Sequence, residues 1–168
     1  MARYRNFDGT HRAGGDTQAL HPALDDVRSR RAGLKAALSD LELALAAPYA
    51  NRAEWVTHVR ESLAVVHEVW TRHVVETEAP GAFLDDLVNE APRLATPASR
   101  LRREHSDILA MIGREEDRLA CPASGDAYDA WAEDVRVALT ALLAALARHR
   151  QRGADLVYEA YAVDLGGG

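Results

Sequence analysis

Apolar residues recur along the chain at alternating steps of three and four residues, which is the spacing of one face of an α-helix. The first such run predicts a helix that begins at His21-Pro22, since proline is well tolerated in a first turn, and ends before Pro48. Its apolar positions are Leu24, Val27, Leu34, Leu38, Leu41 and Leu45. Residues 1–19 before it are polar and contain several glycines without periodicity, and we expect a flexible N-terminal arm there.

A second helix is predicted to follow Asn51, which can cap it with Glu54 in the capping-box position three residues later. Its stripe is Trp55, Val59, Leu63, Val66, Trp70, His73 and Thr77. The tripeptide Ala79-Pro80-Gly81 should end this helix. A short amphipathic segment then leads to Pro92, with Phe83, Leu84, Leu87 and Val88 as its apolar residues.

Two more helices are predicted in the second half of the chain. The third should open at Thr96-Pro97, as cap and first helical residue, and its stripe is Leu101, His105, Ile108, Ile112 and Leu119. The fourth should start near Asp126 and Asp129, and its stripe is Trp131, Val135, Ala138, Leu142, Ala145, His149, Gly153, Leu156 and Ala160. Residues 165–168 should form a loose tail.

Four amphipathic helices joined by short connections predict an all-α fold, an antiparallel four-helix bundle, as one domain over residues 20–164. Alanine and leucine dominate the composition, and no run alternates β-branched and polar residues as a strand would. The stripes predict a buried set of Leu38, Val66, Trp70, Leu101, Ile108, Ile112, Leu142 and Leu156.

Composition and charge exclude several classes of protein. The chain has 168 residues, 48% of them hydrophobic and 27% charged, which is the balance of a globular domain. Its net charge of −6 argues against a nucleic-acid surface, and no apolar run is long enough to span a membrane. The N-terminus lacks the apolar stretch of an export signal and Cys121 is the only cysteine, so a cytoplasmic location is expected.

Histidines interrupt the apolar stripes of three different helices, at positions 73, 105 and 149. One histidine on a stripe is usually an ordinary core residue, but three buried imidazoles each need a polar partner. A shared metal ion would satisfy all three. Carboxylates near them in the sequence are Glu76 and Glu78, three and five residues after His73, Glu104 beside His105, and also Asp107, Asp155 and Glu159.

Distances from the connecting loops test whether these histidines share one level of an antiparallel bundle. His73 and His105 are equidistant in sequence from residue 89, which is near the middle of the connection 79–96. They should therefore lie at the same height along the axis of the bundle. His21 and His73 are equidistant from Ala47 and are level too, which makes His21 a further candidate ligand. His149 falls about 6–12 Å out of level with His105, at 1.5 Å per helical residue.

Three segments in this order resemble the hemerythrin-like (HHE cation-binding) family, of the small actinobacterial type. They are His73-Val-Val-Glu-Thr-Glu78, Arg-Arg-Glu-His105-Ser-Asp-Ile-Leu109 and His149-Arg-Gln-Arg-Gly-Ala-Asp-Leu-Val-Tyr-Glu159. The family usually has a glutamate four residues after the histidine on its second and fourth helices, where this chain has Thr77 and Gly153. The resemblance covers about residues 20–165.

The resemblance implies a non-haem iron centre, mononuclear or dinuclear, that acts on or senses O2, a related oxidant or iron. The expected metal ligands are drawn from His73, His105, His149, Glu78, Glu76, Glu104 and His21. A mononuclear site, a sparser dimetal site and a metal-free bundle all remain open because of Thr77 and Gly153. An oxidative enzyme of small-molecule metabolism is a further expectation, since Gly153 would leave space for a ligand.

The alternative is a metal-free interaction module that forms a homodimer or docks a protein partner. Tyr158, Tyr161 and Val163 extend beyond the compact bundle and are the candidate contact residues. A hydrolase has little support, because Cys121 precedes Pro122 in a loop and no nucleophile motif is present.

Overall fold

The computed structural model describes residues 32–48 and 51–162. Apart from residues 32 and 33, all of them belong to one compact unit, Leu34–Gly168. Its helices are α1 (residues 32–46), α2 (Arg52–Glu78), α3 (Phe83–Glu90), α4 (Ala95–Ala120) and α5 (Tyr128–Ala162). The described residues contain no strand, so the all-α class is confirmed for them. The arm, the tail, the start of the first helix and His21 lie outside the described residues.

Most helix ends lie where the sequence predicts them. The Asn51 side chain accepts a hydrogen bond from the Glu54 backbone N–H at 3.4 Å, and its Nδ2 donates to Glu54 Oε2 at 2.9 Å, which confirms the cap of α2. After α2 the chain turns at Gly81, whose φ of 71° is a left-handed conformation that glycine adopts without strain. The short amphipathic segment forms α3 and buries Leu84 and Leu87.

The third predicted helix begins two residues before its predicted start, whereas the fourth begins at Tyr128, between the two aspartates where it was predicted. A 3-10 turn, Pro92–Leu94, leads directly into α4 at Ala95, so Pro97 is its third residue instead of its first. Proline is tolerated there because the first backbone N–H groups of a helix have no acceptor within the helix. A second 3-10 turn, Gly125–Ala127, contains Asp126 and leads into α5 at Tyr128.

The larger of two apolar clusters joins α1, α2, α4 and α5. Seven of the eight predicted core residues are buried in these clusters, and Leu38 is only partly buried. Ala37 is buried in its place, at 2% exposure, because α1 turns the face of Ala37, Leu41 and Leu45 to the core. Leu38 lies about 100° around the helix from Ala37, at the edge of that face.

The smaller cluster joins α3, the turn before α4, and the ends of α4 and α5 that face them. It consists of Leu84, Leu87, Ala91, Leu94, Ala98, Leu101 and Leu156. On α4 the two clusters are separated at His105, which lies between Leu101 and Ile108. On α5 they are separated at His149, between Leu146 and Leu156. The fold therefore places a polar layer between two apolar clusters.

Side-chain contacts give the relative directions of the long helices. His67 contacts Glu116 whereas Glu78 contacts His105, so α2 and α4 run in opposite directions. Arg93, just before α4, bonds the Glu159 carbonyl while His105 contacts His149, so α4 and α5 are also antiparallel. No helix within the described part of the chain has an apolar stretch long enough to cross a membrane.

Two arginines hold the helix ends opposite the smaller cluster. Arg52, the first residue of α2, donates to the Gly125 carbonyl at 3.0 Å and to Asp129 Oδ1 at 3.1 Å, which joins the starts of α2 and α5. Arg136 of α5 donates to the carbonyls of Leu45 and Ala47 at 3.0 and 2.7 Å. These are carbonyls at the end of α1 that lack partners within their own helix.

Candidate metal centre

His73, His105 and His149 converge in the polar layer between the two apolar clusters. The Nε2 atom of His149 lies 3.2 Å from Nε2 of His105 and 3.4 Å from Nε2 of His73. One ligand nitrogen from each residue lies within 4.8 Å of the other two, and within the described ranges this is the group of three side chains that could hold a metal ion. The expected convergence of these residues agrees with the structure.

Two carboxylates face the outer ring nitrogens of this group. Glu78 Oε1 lies 2.5 Å from Nδ1 of His105, and Glu104 Oε2 lies 3.2 Å from Nδ1 of His149. An ionised carboxylate only accepts hydrogen bonds, so each Nδ1 carries the proton and donates it. The lone pair of each neutral ring is then on Nε2, which faces the other imidazoles.

This arrangement brings the unshared electron pairs of His105 and His149 together at buried positions. His105 is 2% exposed and His149 5% exposed. Two acceptor nitrogens 3.2 Å apart repel each other unless a proton or a metal ion lies between them. Metal-binding histidines commonly donate their other N–H to a carboxylate, as His105 and His149 do here. The donor set therefore has the chemistry of a metal centre.

An arginine completes the network on α5. Arg152 Nη1 donates to Glu104 Oε1 at 2.6 Å, so Glu104 bridges Arg152 and His149 through its two oxygens. Arg152 is three residues after His149 and therefore lies on the same face of the helix. The sequence analysis did not single out Arg152, although this spacing is a signal that could have identified it.

Trp70 covers the imidazoles on the side of the larger cluster. The centroid of its ring lies 5.0, 5.5 and 4.9 Å from those of His73, His105 and His149. Its indole N–H donates to the His105 backbone carbonyl at 3.5 Å. Trp70 thus contributes apolar surface to all three histidines and fixes the backbone of one of them.

The environment favours the neutral form of His73 and His149. Burial, followed by the neighbouring His105 and His149, lowers the pKa of His73 to about 4. Burial and His105 also lower the pKa of His149 to about 4, against the opposing effect of the Glu104 carboxylate. Neutral imidazole is the form that binds a metal, so at neutral pH both rings are ready to act as ligands.

The expected difference in level between His105 and His149 does not keep their rings apart. Side chains lean toward the N-terminus of their own helix, and α4 and α5 are antiparallel. The two side chains therefore lean toward each other along the bundle, which reduces the offset between their backbones. The 3.2 Å between their Nε2 atoms shows that the two rings meet.

The positions where the resemblance expects glutamates carry no carboxylate. The Thr77 hydroxyl donates to the His73 carbonyl of its own helix at 2.8 Å and lies 3.2 Å from that of Val74. A Cβ placed on Gly153 would have no heavy atom within 4 Å, so there is open space beside α5 one turn after His149. Glu76 is exposed on α2 and lies outside the group of three, and its role as a ligand stays a prediction.

Comparison of the chain with protein-family models, curated proteins and solved structures found no match. The function is therefore argued from the geometry of the centre.

Proposed function

We propose that this chain is a metal-binding protein of the hemerythrin-like kind. In this proposal the described helices belong to an antiparallel four-helix bundle that holds non-haem iron at His73, His105 and His149, and the protein acts on or senses O2, a related oxidant or iron. A cytoplasmic location, which suits a reduced metal centre, belongs to the same proposal.

The observation that supports the proposal is the convergence of three imidazole nitrogens, from the buried His105 and His149 and the half-buried His73. Ligand bonds of about 2.0–2.1 Å place the nitrogens of a tetrahedral ion about 3.3 Å apart, and facial positions of an octahedral ion with similar bonds lie about 3 Å apart. The observed separations of 3.2 and 3.4 Å fit one such ion. Imidazole ligands suit iron, zinc, copper and nickel.

The residues around the three histidines orient the ligand rings and limit access of water in this proposal. Glu78 and Glu104 orient the rings of His105 and His149 so that Nε2 faces inward. Trp70 and the two apolar clusters limit access of water. Iron bound by three histidines would supply redox chemistry at coordination positions that the protein leaves open.

Elemental analysis of untagged protein, purified without added metal, tests the proposal. We expect iron in the wild type and loss of most of it in His105→Ala, since α4 offers no second imidazole. His58→Ala, which removes an exposed histidine of α2, should keep the full metal content and serves as the control. A chain that neither contains nor takes up a transition metal, or a His105→Ala variant with unchanged content, would contradict the proposal.

The second candidate is an interaction module without metal. The observation that favours it is the exposure of Tyr158, a residue near the end of α5 that is 77% exposed. The test compares the oligomeric state of the Tyr158→Ser variant with that of the wild type. If the wild type is a metal-free dimer and the substitution dissociates it, the interaction module becomes the preferred function.

A further inference from the structure

We propose that the three histidines form a centre for one metal ion, and that Thr77 and Gly153 are the residues that keep a second ion out. This inference rests on the proposed metal binding. It adds the number of ions and names the two positions that determine it.

The first argument is that the ligand nitrogens of the three histidines lie within 4.8 Å of one another. Nε2 of His149 is close to both other Nε2 atoms, at 3.2 and 3.4 Å, as expected for ligands of a single ion. No further group of three histidine, cysteine or acidic side chains that could hold an ion occurs within residues 32–48 and 51–162. A second ion would have to share these nitrogens, and an imidazole nitrogen has one lone pair.

The second argument concerns the nearby carboxylates. Their positions allow them to orient the imidazole rings, but do not allow them to bridge two metal ions. Glu78 and Glu104 lie beside the Nδ1 atoms, on the side of each ring opposite Nε2. Glu104 is also bound by Arg152 at 2.6 Å and has Arg100 Nε at 3.5 Å. Moving Glu104 to the Nε2 side would leave both the His149 N–H and the Arg152 guanidinium without this acceptor.

The third argument concerns the residues one helical turn after His73 and His149. A side chain four residues after a histidine lies on the same helix face, so these are the positions of α2 and α5 from which a further carboxylate would be supplied. At Thr77 the hydroxyl is instead bonded to its own helix, and at Gly153 there is no side chain. Paired ions lie about 3.5–4 Å apart and repel each other, so they require anionic ligands to bridge them.

Calorimetric titration of Co²⁺ into chelator-treated protein counts the ions. We expect one Co²⁺ per wild-type chain. The double variant Thr77→Glu/Gly153→Glu should bind two, because it supplies a carboxylate on each of two facing helices. The open space at Gly153 gives the carboxylate on α5 room, and position 77 lies one turn after His73 on α2.

The control for added negative charge is Val75→Glu/Gly113→Glu. Val75 is exposed on α2, and Gly113 has open space around it on α4, eight residues beyond His105. This variant carries the same two extra carboxylates away from the centre and should still bind one Co²⁺. The single variant Gly153→Glu provides a test that does not depend on folding of the double variant. It should bind one Co²⁺ about tenfold more tightly than the wild type, because it adds an anionic carboxylate to three neutral imidazole ligands.

The outcomes separate this inference from the proposed function. Two Co²⁺ per wild-type chain would overturn the one-ion centre while leaving metal binding intact. A folded double variant that still binds one Co²⁺, or a Gly153→Glu variant with wild-type affinity, would overturn the role of Thr77 and Gly153. Failure of the wild type to bind any Co²⁺ would refute the proposed metal binding itself, and this inference with it.

Discussion

Each of two histidines in the centre is held by a carboxylate on the ring nitrogen that points away from the other imidazoles. These contacts fix which nitrogen carries the proton and how the ring is turned. We expect Glu104→Ala to lower the affinity for Co²⁺ by about 10–100-fold, the usual effect of removing such a partner. Calorimetric titration gives the affinity directly.

The chain contains a matched control for this prediction. Glu116 pairs with His67 at 2.9 Å, which is the same kind of contact between α4 and α2 but outside the centre. Glu116→Ala should leave the affinity for Co²⁺ unchanged. Equal losses of affinity in both variants would show that the effect comes from general destabilisation instead of ring orientation.

Glu115 is a buried acid that the candidate function does not use. It is 6% exposed on α4 between the stripe residues Ile112 and Leu119, where the sequence pattern expects an apolar side chain. Its Oε2 atom has no hydrogen-bond partner in the described structure and lies 3.5 Å from Arg118 Nε. Burial raises the pKa of Glu115, against the opposing effect of Arg118 and Arg114.

Substitution Glu115→Leu should therefore raise the free energy of unfolding, by about 1 kcal/mol at neutral pH, since apolar replacements of buried charges are often stabilising. The folded state holds the Glu115 proton to higher pH than the unfolded state, so the wild type loses stability as the pH rises through that range. The advantage of the variant should accordingly shrink as the pH is lowered toward about 4.5. Urea unfolding at several pH values measures it, and an advantage that grows on acidification would contradict the assignment.

At the scale of the helix, Gly153 interrupts α5 in its last third. A glycine inside a helix costs about 0.5–1 kcal/mol relative to alanine, and no atom obstructs a Cβ at this position. Gly153→Ala should raise the free energy of unfolding by that amount in thermal or urea denaturation. Gly113→Ala on α4 meets equally open space and should give a similar gain. A loss of stability specific to Gly153→Ala would indicate that the space beside α5 is needed by the fold.

The periodicity of apolar residues was sufficient to predict the helices and most of the core. It located Trp70, Ile112 and Leu142 in the core because a spacing of three and four residues leaves one face of a helix to bury. It could not distinguish Leu38 from Ala37, because the rotation of α1 about its axis depends on the helices that pack against it.

The candidate centre was predictable only in part. The three histidines stand out because each replaces an apolar residue on a stripe. The partners of Glu78 and Glu104 were not predictable, because contacts between helices depend on packing and on the direction in which side chains lean. Glu115 lies at a stripe position by its spacing from Ile112 and Leu119, but its charge is typical of a surface residue, so its burial was not predicted.

For the molecule as a whole, the buried imidazoles make the stability of the metal-free protein depend on pH. In the unfolded chain histidine binds a proton below about pH 6.5, whereas burial lowers the pKa of His73 and His149 to about 4 in the folded state. Between these values the unfolded state binds more protons, so stability falls as the pH falls. Each histidine contributes a slope of up to about 1.4 kcal/mol per pH unit.

Urea denaturation of the metal-free chain between about pH 7 and pH 5 measures this slope. His73→Ala should reduce it, because one of the two buried groups is lost, and His58→Ala should leave it unchanged, because His58 is exposed in the folded state. Equal stability of the wild type at both pH values would refute the prediction.

The histidine layer between the two apolar clusters has a consequence for how the molecule opens. Seven buried residues hold α3 and the adjoining helix ends together, and they contact the rest of the core only across a polar layer. This end should therefore open in local fluctuations that leave the larger cluster closed, and amide hydrogens of residues 83–94 should exchange with deuterium sooner than those of residues 55–70. An ion bound by α2, α4 and α5 would tie both sides of the layer together and slow that exchange. The ion would then enter the centre through the same local opening of this end of the molecule.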